Sequence, residues 1–298
     1  MNQNKYRSFV LPIAIVLGFL LHGCCAYLKF LIPYFIFTIL LTNYSAVDIR
    51  KMKPGKLEFE LLLVQIAGCI LPYLVLHLLG VDEIISQGIL MVFLCPVAAA
   101  VVVVACILGA NRETVTSFTI IDNLVIAVLA PLLFSLVGEH RELGFLTAFL
   151  MIFRKTFLII AFPFILALLG QRFAPKLNAT ICRFKDASFY IWALTLTITL
   201  GQTIDFLFTS GKGHGASIIL LGSLSVLICI FLFAFGRWIG KRHGDKIAGG
   251  QLLGQKNVAI GVWMANTFLN PLPSVGLALY SIWQNVFNSW QMWNANKK

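Results

Sequence analysis

The chain has 298 residues, 59% of them hydrophobic and 12% charged, with 23 Lys and Arg against 12 Asp and Glu for a formal net charge of +11. A soluble domain carries roughly 25% charged residues, and the mean hydropathy of +0.89 excludes one here. The basic residues cluster between apolar runs, so they mark the loops of an integral membrane protein and call for no nucleic-acid partner.

Crossing a hydrocarbon core as a helix takes roughly 17 to 25 apolar residues. Runs of that length are predicted, in chain order, at 8–25, 29–46, 59–80, 86–108, 115–138, 147–171, 187–207, 215–236, 247–268 and 272–293. The opening "MNQNKYRSFVLPIAIVLGFLLHGCCA" has the basic, apolar and small-residue order of a signal peptide. It is read as a retained first helix, because its removal would set the basic loops against the C-terminus. The termini and even-numbered connections hold Lys5, Arg7, Arg50, Lys51, Lys53, Lys56, Arg112, Arg172, Lys176, Arg183, Lys185, Arg237, Lys241, Arg242, Lys246, Lys297 and Lys298, whereas the odd-numbered connections hold Lys29, Arg141 and Lys212. Cytoplasmic loops retain Lys and Arg, so both termini are expected in the cytoplasm and the chain in the inner (plasma) membrane. The basic "RKMKPGK" stretch also suits anionic lipid headgroups.

The seven cysteines and five histidines show no metal-ligand spacing, and no nucleophile with an acid–base partner is evident. The expectation is therefore no enzyme, no metal and no cofactor. Ten spans divide into two halves of five, about 1–140 and 141–298, the form of an inverted repeat. The fourth span, "GILMVFLCPVAAAVVVVACILGAN", contains Pro96, and the ninth, "IAGGQLLGQKNVAIGVWMAN", has Gly249, Gly250 and Gly254 before Lys256. Proline removes a backbone bond and glycine weakens a helix, so both spans are candidates for interruption with backbone groups freed for a ligand. The alternative is that Pro96 only kinks its helix and the glycines only allow close packing.

From these residues onward the chain resembles the bile acid:sodium symporter family over nearly its whole length. "LCPVAAAVVVVACILGAN" is similar to the family's Cys-Pro, small-residue segment and Asn. "FPFILALLGQRFAPKL" resembles its sixth helix, "FAFGRWIGKR" the end of its eighth, and "LALYSIWQNVFNSW" its tenth, with Gln284 in a histidine's place. The resemblance implies an all-α membrane protein of ten helices in two inverted five-helix repeats. It implies a panel domain of spans one, two, six and seven, and a core domain of the others with crossed, broken helices four and nine. It also implies secondary transport of an organic anion or small carboxylate by alternating access, usually with sodium.

The sodium ligands are where the chain departs from that pattern. Aligned on Cys95, Pro96 and Asn111, the family's Ser-Asn pair falls on Val101 and Val102, which offer no oxygen donor. Thr119 keeps a hydroxyl, but a neighbouring hydroxyl position falls on Asp122. Aligning Gly254 and Asn257 puts Leu252 in place of a Glu and Lys256 in place of a Gln. A buried ammonium costs at least about 2.5 to 3.5 kcal/mol in a membrane interior unless its charge is answered. Asp122 and Lys256 are expected at depths of roughly 10 and 15 Å, an offset a lysine stem can cover. The sodium site is therefore expected to be degraded. The Lys256 ammonium stands in for the ion, Asp122 is its counter-ion, and Thr119, Gln255 and Asn257 are hydrogen-bond partners. Transport is then sodium-independent, either facilitative or linked to protonation of the pair. A structural ion pair with no part in the cycle is the competing reading.

Gln65, Asn123, Gln251, Asn266 and Asn285 are further candidates to line the cavity, with helix-to-helix contacts as their alternative role. The expected partners are a small organic anion and the lipid bilayer. A monovalent cation/proton antiporter of related fold is the second function reading, since it too uses an Asp with a Lys. A membrane-embedded enzyme is the third.

Overall fold

The computed structural model describes residues 13–14, 16–47, 54–98, 101–138, 144–184, 187–210 and 213–295. Lys5, Arg7, Arg50, Lys51, Lys53, Arg141, Lys185, Lys212, Lys297 and Lys298, on which the expected orientation leans, lie outside the described residues. The described residues are all-α, and the single extended pairing among them joins Val97 to Lys256.

The helices are α1 His22–Leu28, α2 Ile32–Ser45, α3 Lys56–Leu78, α4 Glu83–Leu94, α5 Val101–Ile107, α6 Arg112–Val137 and α7 Phe145–Thr156. They continue as α8 Phe162–Phe173, α9 Pro175–Arg183, α10 Ala187–Ser210, α11 Gly215–Arg242, α12 Lys246–Gly254, α13 Val258–Phe268 and α14 Ser274–Ala295. Among the described residues, five stretches are long and apolar enough to cross a membrane: His22–Ser45, Lys56–Leu78, Arg112–Val137, Phe145–Phe173 and Gly215–Arg242. Their outer faces carry large apolar side chains such as Leu63, Leu71, Leu74, Leu78, Ile219, Leu227 and Ile230, as a lipid-facing surface requires.

Where a connection between the first two spans is expected, the chain stays helical. α1 leads through a 3₁₀ turn, Lys29–Leu31, into α2, and Pro33 sits in the first turn of α2, where its missing N–H has no helical acceptor to satisfy. Farther along, a π-helical turn at Phe157–Ala161 separates α7 from α8 just before Pro163, whose ring disrupts the preceding turn's hydrogen bonds.

The chain folds as two compact units, each built from two segments. One comprises Met1–Asp48 and Arg154–His214. Within it the N-terminal helical residues and α1 lie against α10 at a close crossing, where a Cβ at Gly201 would stand 2.5 Å from the Cys25 Cβ. Side-chain bonds tie both N-terminal helices to α10: His22 Nδ1 on α1 meets Asp205 Oδ1 at 3.0 Å, and the hydroxyls of Thr42 on α2 and Ser188 meet at 2.5 Å. Gln171 donates to the Val47 carbonyl at 2.8 Å, tying α8 to the end of α2.

The other unit comprises Ile49–Phe153 and Gly215–Lys298. The long helix α6 is extensively enclosed, with Val115, Phe118, Asp122, Ile126, Ala130 and Phe134 all fully buried. Helix starts here are capped by side chains. Asp82 accepts from the Ile84 amide at 2.9 Å, Asn111 from Glu113 at 2.8 Å, and Asp245 from Ala248 at 2.8 Å. Asp245 also accepts from the Asn111 amide at 2.8 Å, so one carboxylate joins the starts of α6 and α12.

Gly236 on α11 and Gly249 on α12 meet backbone to backbone, and a Cβ at Gly249 would stand 2.2 Å from the Gly236 carbonyl oxygen. Gly254 faces the Phe233 ring at 2.5 Å by the same measure. Gly249, Gly250 and Gly254 therefore lie inside an intact helix and serve close packing; the interruption falls one residue after them.

Candidate functional site

Both expected interruptions are present in the second unit. α4 ends at Leu94 and α5 begins at Val101; α12 ends at Gly254 and α13 begins at Val258. Cys95 has the extended conformation (φ −60°, ψ 123°) favoured before a proline, and Pro96 cannot continue the helix behind it. Gln255 is extended too, at φ −90° and ψ 113°. The two extended pieces lie antiparallel. Ala98 donates to the Gln255 carbonyl at 3.0 Å and Asn257 to the Pro96 carbonyl at 2.7 Å.

These bonds answer an accounting problem. A helix broken in a membrane interior leaves N–H and C=O groups that must be satisfied inside the protein. Each interruption supplies partners for the other, and nearby side chains supply further ones. The Lys256 amide donates to Gln284 Oε1 at 2.8 Å, while Gln284 Nε2 donates to the Lys256 carbonyl at 3.1 Å. Tyr280 donates its hydroxyl to the Gly254 carbonyl at 2.6 Å, and the Cys95 thiol donates to the Asn257 carbonyl at 3.0 Å.

Asp122 projects from α6 into this pairing, with Oδ2 accepting from the Val97 amide at 2.6 Å. Its side chain is fully buried, and Lys256 is 1% exposed. No Asp122 oxygen lies within 4.0 Å of the Lys256 Nζ, so the two side chains form no direct ion pair. The Lys256 Nζ reaches the Phe93 carbonyl at 3.5 Å, which leaves most of its donor capacity unused. Gln65, fully buried on α3, lies beside Asp122 and donates to the Cys95 carbonyl at 3.4 Å. Asp122 Oδ1 and Gln65 Oε1 have no hydrogen-bond partner. The result is a buried cluster of one lysine, one aspartate and unpaired oxygen acceptors at the junction of two interrupted helices.

The remaining candidates are placed as follows. Thr119 donates its hydroxyl back to the Val115 carbonyl at 2.7 Å, and Asn123 donates to the Thr119 carbonyl at 2.7 Å, leaving Asn123 Oδ1 without a partner. Asn257 Oδ1 accepts from the Ile260 amide at 3.5 Å and so caps α13. Gln255 donates to Gln251 Oε1. No hydrogen bond joins the side chain of Thr119, Gln255 or Asn257 to the Lys256 Nζ, whose bond is to the Phe93 carbonyl. Asn266 is half-buried on α13 with its side-chain oxygen unpartnered, and Asn285 donates to the Ser281 carbonyl at 2.7 Å. Val101 is fully buried and Val102 half-buried at the start of α5.

Four polar side chains outside the candidate set prove central. Gln284 holds the backbone of Lys256. Asn288 and Gln291 accept from Gln251 Nε2 at 3.3 and 3.0 Å, and Arg237 donates to Gln291 Oε1 at 2.5 Å. A signal for three of them is present in the sequence. Tyr280, Gln284, Asn288 and Gln291 recur at spacings of four, four and three, which places them on one face of α14. Among the described residues no group of three His, Cys, Asp or Glu side chains could hold a metal ion.

The described residues thus define an all-α membrane protein whose second unit carries two paired helix interruptions around buried charge. The Sodium Bile acid symporter family matches the chain over residues 59–210, and the chain belongs to that family. It is therefore a transporter, with a small-molecule substrate and a membrane environment. No curated protein matches the chain.

Proposed function

We propose that the protein is a sodium-independent secondary transporter of an organic anion or small carboxylate, working by alternating access. In this reading Lys256 provides from within the chain the positive charge that relatives recruit as sodium. One observation carries it: a lysine 1% exposed stands at the antiparallel pairing of two interrupted helices, beside a fully buried aspartate. An ammonium placed there is costly and is retained where it serves a ligand or a coupling step. The valines at 101 and 102 and the leucine at 252 support the reading, because their side chains offer a sodium ion no oxygen.

The ten-span inverted repeat, with both termini in the cytoplasm, belongs to the same proposal. So does the assignment of the two compact units as panel and core, since their segments coincide with the spans the family resemblance gives to each. Conformational change alternates exposure of the site, and the Lys256–Asp122 cluster either rests in one protonation state or exchanges a proton during the cycle.

The decisive experiment is uptake into proteoliposomes of a bile acid, benzoate and succinate, at equal ionic strength in sodium and in choline. Equal uptake in the two salts, abolished by Lys256→Met, is the expected result. Sodium stimulation severalfold or more overturns the replacement of the ion by Lys256. The buried Asp122 and Lys256 also suit a monovalent cation/proton antiporter. Stoichiometric proton release from lightly buffered purified protein on adding Na⁺ would select that reading instead.

A further inference from the structure

A second cation enters the interior of the same unit, and the ion cluster does not use it. Arg237 lies on α11 and is part-buried, and among the described residues it has no carboxylate within 4.0 Å. Its position is built. Gly250 leaves room for the stem, since a Cβ there would stand 2.4 Å from the Arg237 Cγ. The guanidinium carbon lies 5.7 Å from the centre of the Phe287 ring. One guanidinium nitrogen donates to Gln291 Oε1 at 2.5 Å, and that same oxygen accepts from Gln251 Nε2 at 3.0 Å.

Gln291 has both its bonds on the oxygen. Its Nε2 donor has no acceptor, although the side chain is only 5% exposed. Nor can neighbouring amides easily turn to meet it. Asn288 Oδ1 receives Gln251 Nε2 at 3.3 Å, and Gln251 Oε1 receives Gln255. The Gln291 Oε1 assignment is set by the two donors that converge on it. A guanidinium with no carboxylate partner among the described residues, beside an unpartnered buried amide N–H, is a concentration of donors with no anionic acceptor there to receive them. Both are costly unless an anionic acceptor completes the set. The planar fork of Arg suits the two oxygens of a carboxylate, sulfonate or phosphate.

We propose that Arg237 and the Nε2 of Gln291 form an oxyanion-binding subsite, connected to Lys256 by the amide row Gln291, Gln251 and Gln255. The oxyanion comes from a transported organic anion or from a phospholipid headgroup. This deepens the organic-anion reading and rests on it only for the first source.

Binding is the test, because it is independent of sodium coupling. Full-length protein in phosphatidylcholine nanodiscs is titrated with benzoate, succinate and inorganic sulfate by calorimetry and tryptophan fluorescence, in choline salt. Trp290 reports locally, its ring 5.5 Å from that of Phe287. In a parallel arm, phosphatidylglycerol replaces part of the phosphatidylcholine. The expected result is saturable binding of a free anion, or a phosphatidylglycerol-dependent shift that free anions do not produce; the first identifies a solute and the second a headgroup. Arg237→Gln weakens the response at least tenfold. Gln291→Glu places a carboxylate of the protein itself on the guanidinium, and it abolishes binding while the variant melts no lower than wild type. Response to neither source in the wild type, or an unchanged titration in Gln291→Glu, overturns the subsite. Sodium-stimulated uptake would overturn the Lys256 replacement and leave this result standing.

Discussion

Asp122 accepts the backbone amide of Val97 at 2.6 Å, and Val97 in turn lies antiparallel to Lys256. The carboxylate is thus tied to one interrupted segment while the ammonium belongs to the other. Removing either charge leaves its neighbour uncompensated in a fully enclosed setting. Asp122→Asn and Lys256→Met should each destabilise the protein, and the double variant should lose less than the two single losses added together. The coupling expected for charges in one network is about 1 to 3 kcal/mol. Thermal melts of the four proteins in one detergent measure it; additive losses would show that the two charges act independently.

Gln284 satisfies both backbone groups of Lys256, at 2.8 and 3.1 Å. Gln284→Leu keeps the side chain's bulk and strands the Lys256 N–H at the interruption, while the Lys256 carbonyl keeps the Val258 amide at 3.0 Å. Leaving such a buried group unpaired costs about 1 to 3 kcal/mol. Asn285→Leu, one position on, removes only a bond to the Ser281 carbonyl within its own helix. A melting temperature lowered more by Gln284→Leu than by Asn285→Leu is the expected outcome.

The contact of α11 with α12 depends on the absence of side chains at Gly236 and Gly249. A Cβ at either would stand 2.2–2.3 Å from a backbone carbonyl oxygen of the other. Backbone cannot yield as a side chain can, so Gly249→Ala should cost about 3 kcal/mol or more through forced separation of the helices. A Cβ at Gly23, on α1, would meet nothing within 4 Å. Gly23→Ala should be neutral or stabilise by up to about 1 kcal/mol, because alanine is the better helix former. Comparing the two substitutions by thermal melting separates packing from propensity.

Asp245 serves two helix starts, accepting from Ala248 and Asn111 at 2.8 Å each. Asp245→Ala should lower stability by about 1 to 2 kcal/mol for the lost cap, with more from the second bond. Hydrogen exchange should rise at the starts of α6 and α12 together. A rise confined to α12 would show that the bond to Asn111 is not holding the second helix.

Membrane class, helix content and the two places of interruption were legible in the order of residues. A membrane interior admits few backbone solutions, and Pro96 and the polar step Gln255–Lys256–Asn257 stand out in apolar runs that otherwise continue, whereas the glycines at 249, 250 and 254 serve packing instead. The intramembrane Lys256 and Asp122 were conspicuous for the same reason, since charge is rare where water is absent. The order of residues did not determine which punctuation would act. Pro72 and Pro131 lie inside unbroken helices, whereas at Pro96 the chain leaves the helix in mid-span. The difference is tertiary: the carbonyl of Pro96 and the amides of Val97 and Ala98 meet Asn257, Asp122 and Gln255, which come from distant parts of the chain. Helix rotation was equally hidden, so that Gln284 rather than Asn285 faces the Lys256 backbone, and a long basic residue near a helix end, Arg237, turns inward over Gly250 to Gln291. Hydropathy specifies that a segment is buried in lipid or protein; only the packing of neighbours decides which of its polar groups find partners and which are left to meet a ligand.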